Sequence, residues 1–92
     1  MFALVVHNLD PGLPLTLRTR RPGDRFHPPG AAHPVKLADF LRDWGVPLWE
    51  RERLPLLFSG ETLVAILPRW TAEGHDATRP GGHAWRIEVS GA

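Results

Sequence analysis

Leu54-Pro-Leu-Leu-Phe-Ser-Gly-Glu-Thr-Leu-Val-Ala-Ile-Leu67 places two apolar runs on either side of Ser59-Gly60-Glu61. Runs of this length around a glycine-containing turn read as the arms of a β-hairpin, Leu54–Phe58 and Thr62–Leu67. Upstream, Leu37, Phe40, Leu41 and Trp44 recur at i, i+3, i+4 and i+7, the single apolar stripe of a helix that faces a sheet. Pro34 suits the first helical position and Gly45 the left-handed position just past the end. The spacing therefore predicts one principal helix, from Pro34 or Val35 to Trp44.

Outward from this centre the signals are weaker. Leu4-Val5-Val6-His7 reads as a first strand, closed by the turn chemistry of Asn8-Leu9-Asp10-Pro11-Gly12. Leu13–Thr19 reads as a second, with Leu13, Leu15 and Leu17 on a core face and Thr16, Arg18 and Arg20 on the solvent face. Arg21-Pro22-Gly23-Asp24 breaks it. Residues 27–34 are irregular, and Pro47 opens a short turn or helix running to about Arg53. Residues 71–83 form a polar loop expected to be flexible, and Trp85, Ile87 and Val89 alternate in a closing strand. Trp44 and Trp85 sit on apolar stripes and are assigned to the core; Trp49 and Trp70, beside Pro47 and Pro68, are left open. The expected fold is α+β: a small antiparallel or mixed sheet packed against one principal helix.

At 92 residues the chain is one domain, 1–92, able to bury roughly 60–65% of its unfolded surface. Without cysteine it has neither disulfides nor thiolate metal sites. The apolar N-terminal run is too short for a signal peptide or a membrane span, which points to a soluble, cytoplasmic protein with no membrane partner. Net charge is only +1, but residues 1–36 hold five cations and two acids while residues 37–92 hold six cations and eight acids. Positive charge is gathered at one end.

Arg18, Arg20, Arg21 and Arg25 crowd the second strand's end and the following turn. Lys36 opens the helix, and Arg51 lies just past Gly45-Val46-Pro47. Cations concentrated at a turn and a helix start suit phosphates, although a solvated cationic loop has the same composition. Lys36 has two readings: a salt-bridge partner for Asp39, or a lysine converging with the helix N-terminus on a phosphate. Asp24 reads as a turn residue that accepts backbone N–H bonds and pairs with a neighbouring arginine. His27, His33, His75 and His83 follow no metal-ligand spacing; His27 and His33 would add partial positive charge beside the arginines. No phosphate loop, serine elbow or His-Glu-x-x-His is present, so no catalytic residue, metal or cofactor is expected on this chain.

These residues resemble a known family over about Leu15 to Leu67. Arg18-x-Arg20-x-Pro-Gly-Asp-Arg-Phe26, Pro29-Gly30, Lys36-Leu37, Gly45-Val46-Pro47, Arg51, Leu54-Pro55-Leu56-Leu57 and Gly60-Glu61-Thr62-Leu63-Val64-Ala65 are similar to the C-terminal domain of the tRNA(Ile)-lysidine synthetases. These are bacterial ATP-dependent ligases that attach lysine to the wobble cytidine of an isoleucine tRNA. The same superfamily includes a domain of the phenylalanyl-tRNA synthetase β chain.

The resemblance implies a division of labour. An N-terminal domain with a Ser-Gly-Gly-x-Asp-Ser loop binds ATP and lysine, and the C-terminal domain holds the acceptor stem of the tRNA. That loop is absent from this sequence. The implied partners are tRNA(Ile) and the catalytic domain of the same enzyme, with no DNA. Arg18, Arg20, Arg21, Arg25, Lys36 and Arg51 would contact phosphates or the stem end. Two departures stand out: Val35-Lys36, where many relatives have two basic residues, and Leu67-Pro68-Arg69-Trp70, where a glycine-containing turn is usual. The rival reading is a structural or protein-interaction module whose arginines pair with acids of a sister domain.

Overall fold

The computed structural model describes residues 2–76 and 82–89. At its centre is the expected hairpin, β5 (Leu56–Ser59) and β6 (Thr62–Ile66). Gly60 has φ 59°, the positive φ that a two-residue hairpin loop takes at its first position. The short strands β2 (Leu15–Arg18) and β7 (Trp70–Thr71) flank the pair, completing an antiparallel sheet of order β2-β5-β6-β7. Register passes from Leu57↔Ala65 to Phe58↔Leu63, leaving Val64 as an extra residue. The bulge turns Val64 and Ala65 toward the same side of the sheet.

Both faces of this sheet are covered, which is why its central strands are apolar throughout instead of alternating. One face packs Leu56, Phe58, Leu63 and Ile66 against Phe26, Leu37, Phe40 and Leu41. The other packs Leu57, Val64, Ala65 and Leu67 against Val6 and Leu9 of β1 (Phe2–Leu9). β1 pairs with β8 (His83–Val89) in a separate antiparallel ribbon, so the two ends of the described chain together cover the second face.

The expected single sheet beneath one principal helix is thus corrected. The described residues form three antiparallel sheets and two short helices. The third sheet pairs β3 (Arg25–Phe26) with β4 (Val35–Lys36), at the point where the helix was expected to begin. Lys36 is extended (φ −62°, ψ 130°), and α1 runs only from Leu37 to Asp43. Pairing Val35 with the buried Phe26 carries this segment into a strand despite its helical pattern.

At its far end α1 stops as the sequence indicates. Gly45 has φ 73°, and the Gly45 and Val46 amides donate to the Arg42 (3.0 Å) and Leu41 (2.9 Å) carbonyls. This is the Schellman pattern, and it sends Val46 into the core. Trp44, at the turn itself, is left 65% exposed. The other short helix, α2 (Leu48–Arg51), follows.

Three further expectations fail on burial. Leu13, Leu15 and Leu17 are exposed, Leu17 at 59%, because the β1–β8 ribbon does not extend over edge strand β2. Trp85 is likewise exposed although its register partner Val6 is fully buried. The loop expected over 71–83 begins as structure: Thr71 is in β7, Ala72 is buried, and the Glu73 amide donates to the His27 carbonyl at 2.8 Å. His75 Nδ1 donates to the His7 carbonyl at 2.8 Å, and His83 already belongs to β8. Residues 77–81 of that expected loop lie outside the described residues.

Candidate nucleic-acid interface

The turn after β2 is organised by one carboxylate. Asp24 receives both terminal nitrogens of the Arg18 guanidinium, at 2.8 and 3.0 Å, and the Arg21 amide at 2.7 Å. Its backbone carbonyl accepts from the amide of Leu37, the first residue of α1, at 3.0 Å. One residue therefore joins the end of β2, the turn and the helix start. Gly23, with φ 88°, supplies the backbone conformation that closes the turn. The Arg18 guanidinium lies 4.1 Å from the centroid of the Phe58 ring, a cation–π contact that holds it against the sheet.

The Arg18 guanidinium, hydrogen-bonded to the carboxylate, is the main cause holding the Asp24 carboxyl below its ordinary pKa; partial burial opposes it, and the Arg21 amide assists. A carboxyl whose folded-state pKa is depressed stabilises the fold above its unfolded value, near 4, and loses that contribution as pH falls through the folded value. Asp24→Asn should accordingly cost roughly 1–3 kcal/mol at pH 7. Wild-type and variant stabilities should converge in acid. Urea melts at pH 7 and pH 3 measure both, and an equal gap at the two pH values would refute the pairing.

Beside this turn opens a cleft of about 490 Å³, lined by Arg20, Arg21, Pro22, Gly23, Asp24, Arg25, Lys36, Leu37, Ala38 and Glu52. Two of its acids are already engaged: Asp24 with Arg18, and Glu52 with Arg20 at 2.7 Å. Arg25 and Lys36 are directly opposite each other on the β3–β4 pair. Like charges in that position are unfavourable for the sheet. The Arg25 guanidinium donates to the Pro34 carbonyl, at 3.3 Å. Asp39 pairs with Arg42 at 3.4 Å, which removes it as the partner considered for Lys36. Among the described residues no carboxylate is paired with Arg21, Arg25 or Lys36. A second recess behind β3, near His27 and Phe58, includes Glu61 and Glu73 and is mixed in charge.

Of the six cations singled out in the sequence, the fold brings Arg20, Arg21, Arg25 and Lys36 to this cleft. Arg18 stands behind it on Asp24. Arg51 is apart, its Nε donating to the Val46 carbonyl at 2.6 Å across the bend between α1 and α2. Lys36 sits at the N-cap position in an extended conformation, not within the first helical turn. His27, expected beside the arginines, is bonded through Nε2 to the Ala31 carbonyl at 2.7 Å. Glu52 was not foreseen: it lies 32 residues from Arg20, and its alternation with Arg51 and Arg53 reads as a neutral helical face.

These features define a small β-rich domain with a cation-lined cleft beside its one seven-residue helix. The chain belongs to the family described as the TilS substrate C-terminal domain, which matches residues 15–89. It is 31% identical over 75 residues to a tRNA(Ile)-lysidine synthase of Coxiella burnetii, a match covering 82% of this chain and 16% of that protein. It is 54% identical over 53 residues to the tRNA(Ile)-lysidine synthase of Symbiobacterium thermophilum, covering 58% and 11% respectively. The chain thus corresponds to a small part of the length of these relatives. A crystal structure described as the TILS C-terminal domain is similar in fold, with TM-score 0.64 and 27% identity over 92% of this chain and 65% of that one. Among the described residues, no helix is long and apolar enough to cross a membrane.

Proposed function

We propose that this domain is a non-catalytic tRNA-binding module of a tRNA(Ile)-lysidine synthase, engaging the acceptor stem while ATP and lysine are handled elsewhere in the enzyme. One observation carries the reading: Arg21, Arg25 and Lys36 share a cleft with no carboxylate paired to them among the described residues, and two of them oppose each other in one strand pair. An arrangement that costs the isolated fold is favourable once an anion is bound between the cations. Arg20 stands at the same cleft, Arg18 positions the turn, and Arg51 fixes the bend that follows α1. Phosphate contacts of this kind set register and carry little sequence information, so the stem is read by its shape and its backbone. The domain then aids chemistry performed elsewhere by holding the substrate in place.

The exposed leucines of β2 favour a second role, packing on a sister domain, at a strand edge where no other strand among the described residues pairs. Salt dependence separates the two. Filter binding of the 92-residue chain to tRNA(Ile) should give a log–log salt slope of about −2 to −4, reflecting three or four phosphate contacts. A flat slope, or no binding at low salt, would leave the packing role alone.

A further inference from the structure

The charge in the cleft exceeds what one internal phosphodiester balances. Such a group carries a single negative charge and continues into sugar on both sides. A terminal phosphate monoester carries about −1.5 to −2 at neutral pH and presents three acceptor oxygens. Arg21, Arg25 and Lys36 place around one recess three cations that no carboxylate among the described residues pairs with, and Arg20, paired with Glu52, stands beside them. The opposed pair Arg25 and Lys36 can grip one group from two sides, and a guanidinium can take two of its oxygens at once.

Size and lining point the same way. About 490 Å³ is the scale of a site for one small molecule or one nucleotide, within the range of roughly 300–1,000 Å³ for such pockets. Its remaining wall is Pro22, Gly23, Leu37 and Ala38 with Asp24, whose carboxylate is held by Arg18, and it has no aromatic ring on which a base could stack. Such a lining offers charge to a phosphate and no stacking surface to the base attached to it.

We infer that the cleft takes a terminal phosphate monoester, the 5′-phosphate at the end of an RNA stem, in preference to an internal phosphodiester. This rests on the RNA-binding reading above and adds the identity of the group held. The 5′ nucleotide enters by its phosphate, bridged between Arg25 and Lys36 with Arg21 completing the charge, and its base contributes nothing to affinity.

The test compares tRNA(Ile) carrying a 5′-phosphate with the same RNA after phosphatase treatment, each bound to the 92-residue chain at fixed salt. Loss of the phosphate should weaken binding about tenfold. Arg25→Ala with Lys36→Ala, checked for folding by circular dichroism, should bind both RNAs equally. AMP carries the same monoester, and it should displace the RNA only at concentrations far above that of the RNA itself. Equal wild-type affinity for the two RNAs, with a steep salt slope retained, overturns this inference and leaves the RNA-binding reading standing. Displacement by AMP at a concentration comparable to the RNA overturns it in favour of a free-nucleotide site. Absence of any tRNA binding removes both.

Discussion

Lys36→Glu should weaken tRNA binding about 10- to 100-fold while leaving the domain as stable as before, or slightly more so. The two effects have one cause. Lys36 faces Arg25 across the β3–β4 pair, and neither cation has a carboxylate partner among the described residues. A glutamate there turns a repulsive cross-strand pair into an attractive one, worth about 0.2–1 kcal/mol to the fold. The same change removes a cation from the cleft and neutralises its neighbour, so a bound phosphate loses a charge-assisted contact and meets a negative charge. Thermal melts and filter binding of one preparation read both quantities. A sharp fall in stability with unchanged binding would make Lys36 a structural residue and take the cleft out of the interface.

The gathering of cations at this cleft was legible before the fold, because charge clustering along a chain survives errors in secondary structure. Arg20, Arg21 and Arg25 lie within six residues, and a Pro-Gly turn keeps them together whatever precedes it. Asp24 was legible too, since a carboxylate between a turn glycine and arginines has few other uses. Lys36 was read as opening the helix, and it lies instead in β4 at the N-cap position. The stripe Leu37-Phe40-Leu41 is helical and buried as expected, but periodicity does not show where a helix gives way to a strand. The competing term was Val35 pairing with Phe26, a contact made only when the Pro/Gly segment between them folds back. Arg51 has the type and position of a phosphate ligand, and only the geometry shows that its Nε donates to the Val46 carbonyl.

The leucine row of β2 failed for a different physical reason. Alternation sorts side chains onto two faces without saying which face is covered. Leu17 is opposite Leu57, on the side where the β1–β8 ribbon packs, and Arg18 is opposite Leu56, on the side of α1. The ribbon is built from the two ends of the described chain and reaches the central strands without covering the edge. Arg18 meanwhile lays its guanidinium on Phe58 and pairs with Asp24, so the charged residue is less exposed than the leucine beside it. Long cationic side chains can cover apolar surface in this way.

This exchange of roles has a measurable consequence. Leu41→Ala should cost about 2–5 kcal/mol, because its side chain is fully buried between α1 and the sheet and its removal leaves a cavity. For a domain with roughly 5–10 kcal/mol in total, that is a large part of its stability. Leu17→Ala should stay within about 0.5 kcal/mol of wild type, because Leu17 is 59% exposed. Urea melts of the two variants, with the chain held dilute, decide between the alternation pattern and the observed packing. If Leu17→Ala costs as much as Leu41→Ala, the outer face of β2 is covered in solution. Repeating the melt across a concentration series then identifies the cover: a loss that grows with concentration means a second copy is bound to that edge, whereas a constant loss means the β1–β8 ribbon lies over Leu17 after all.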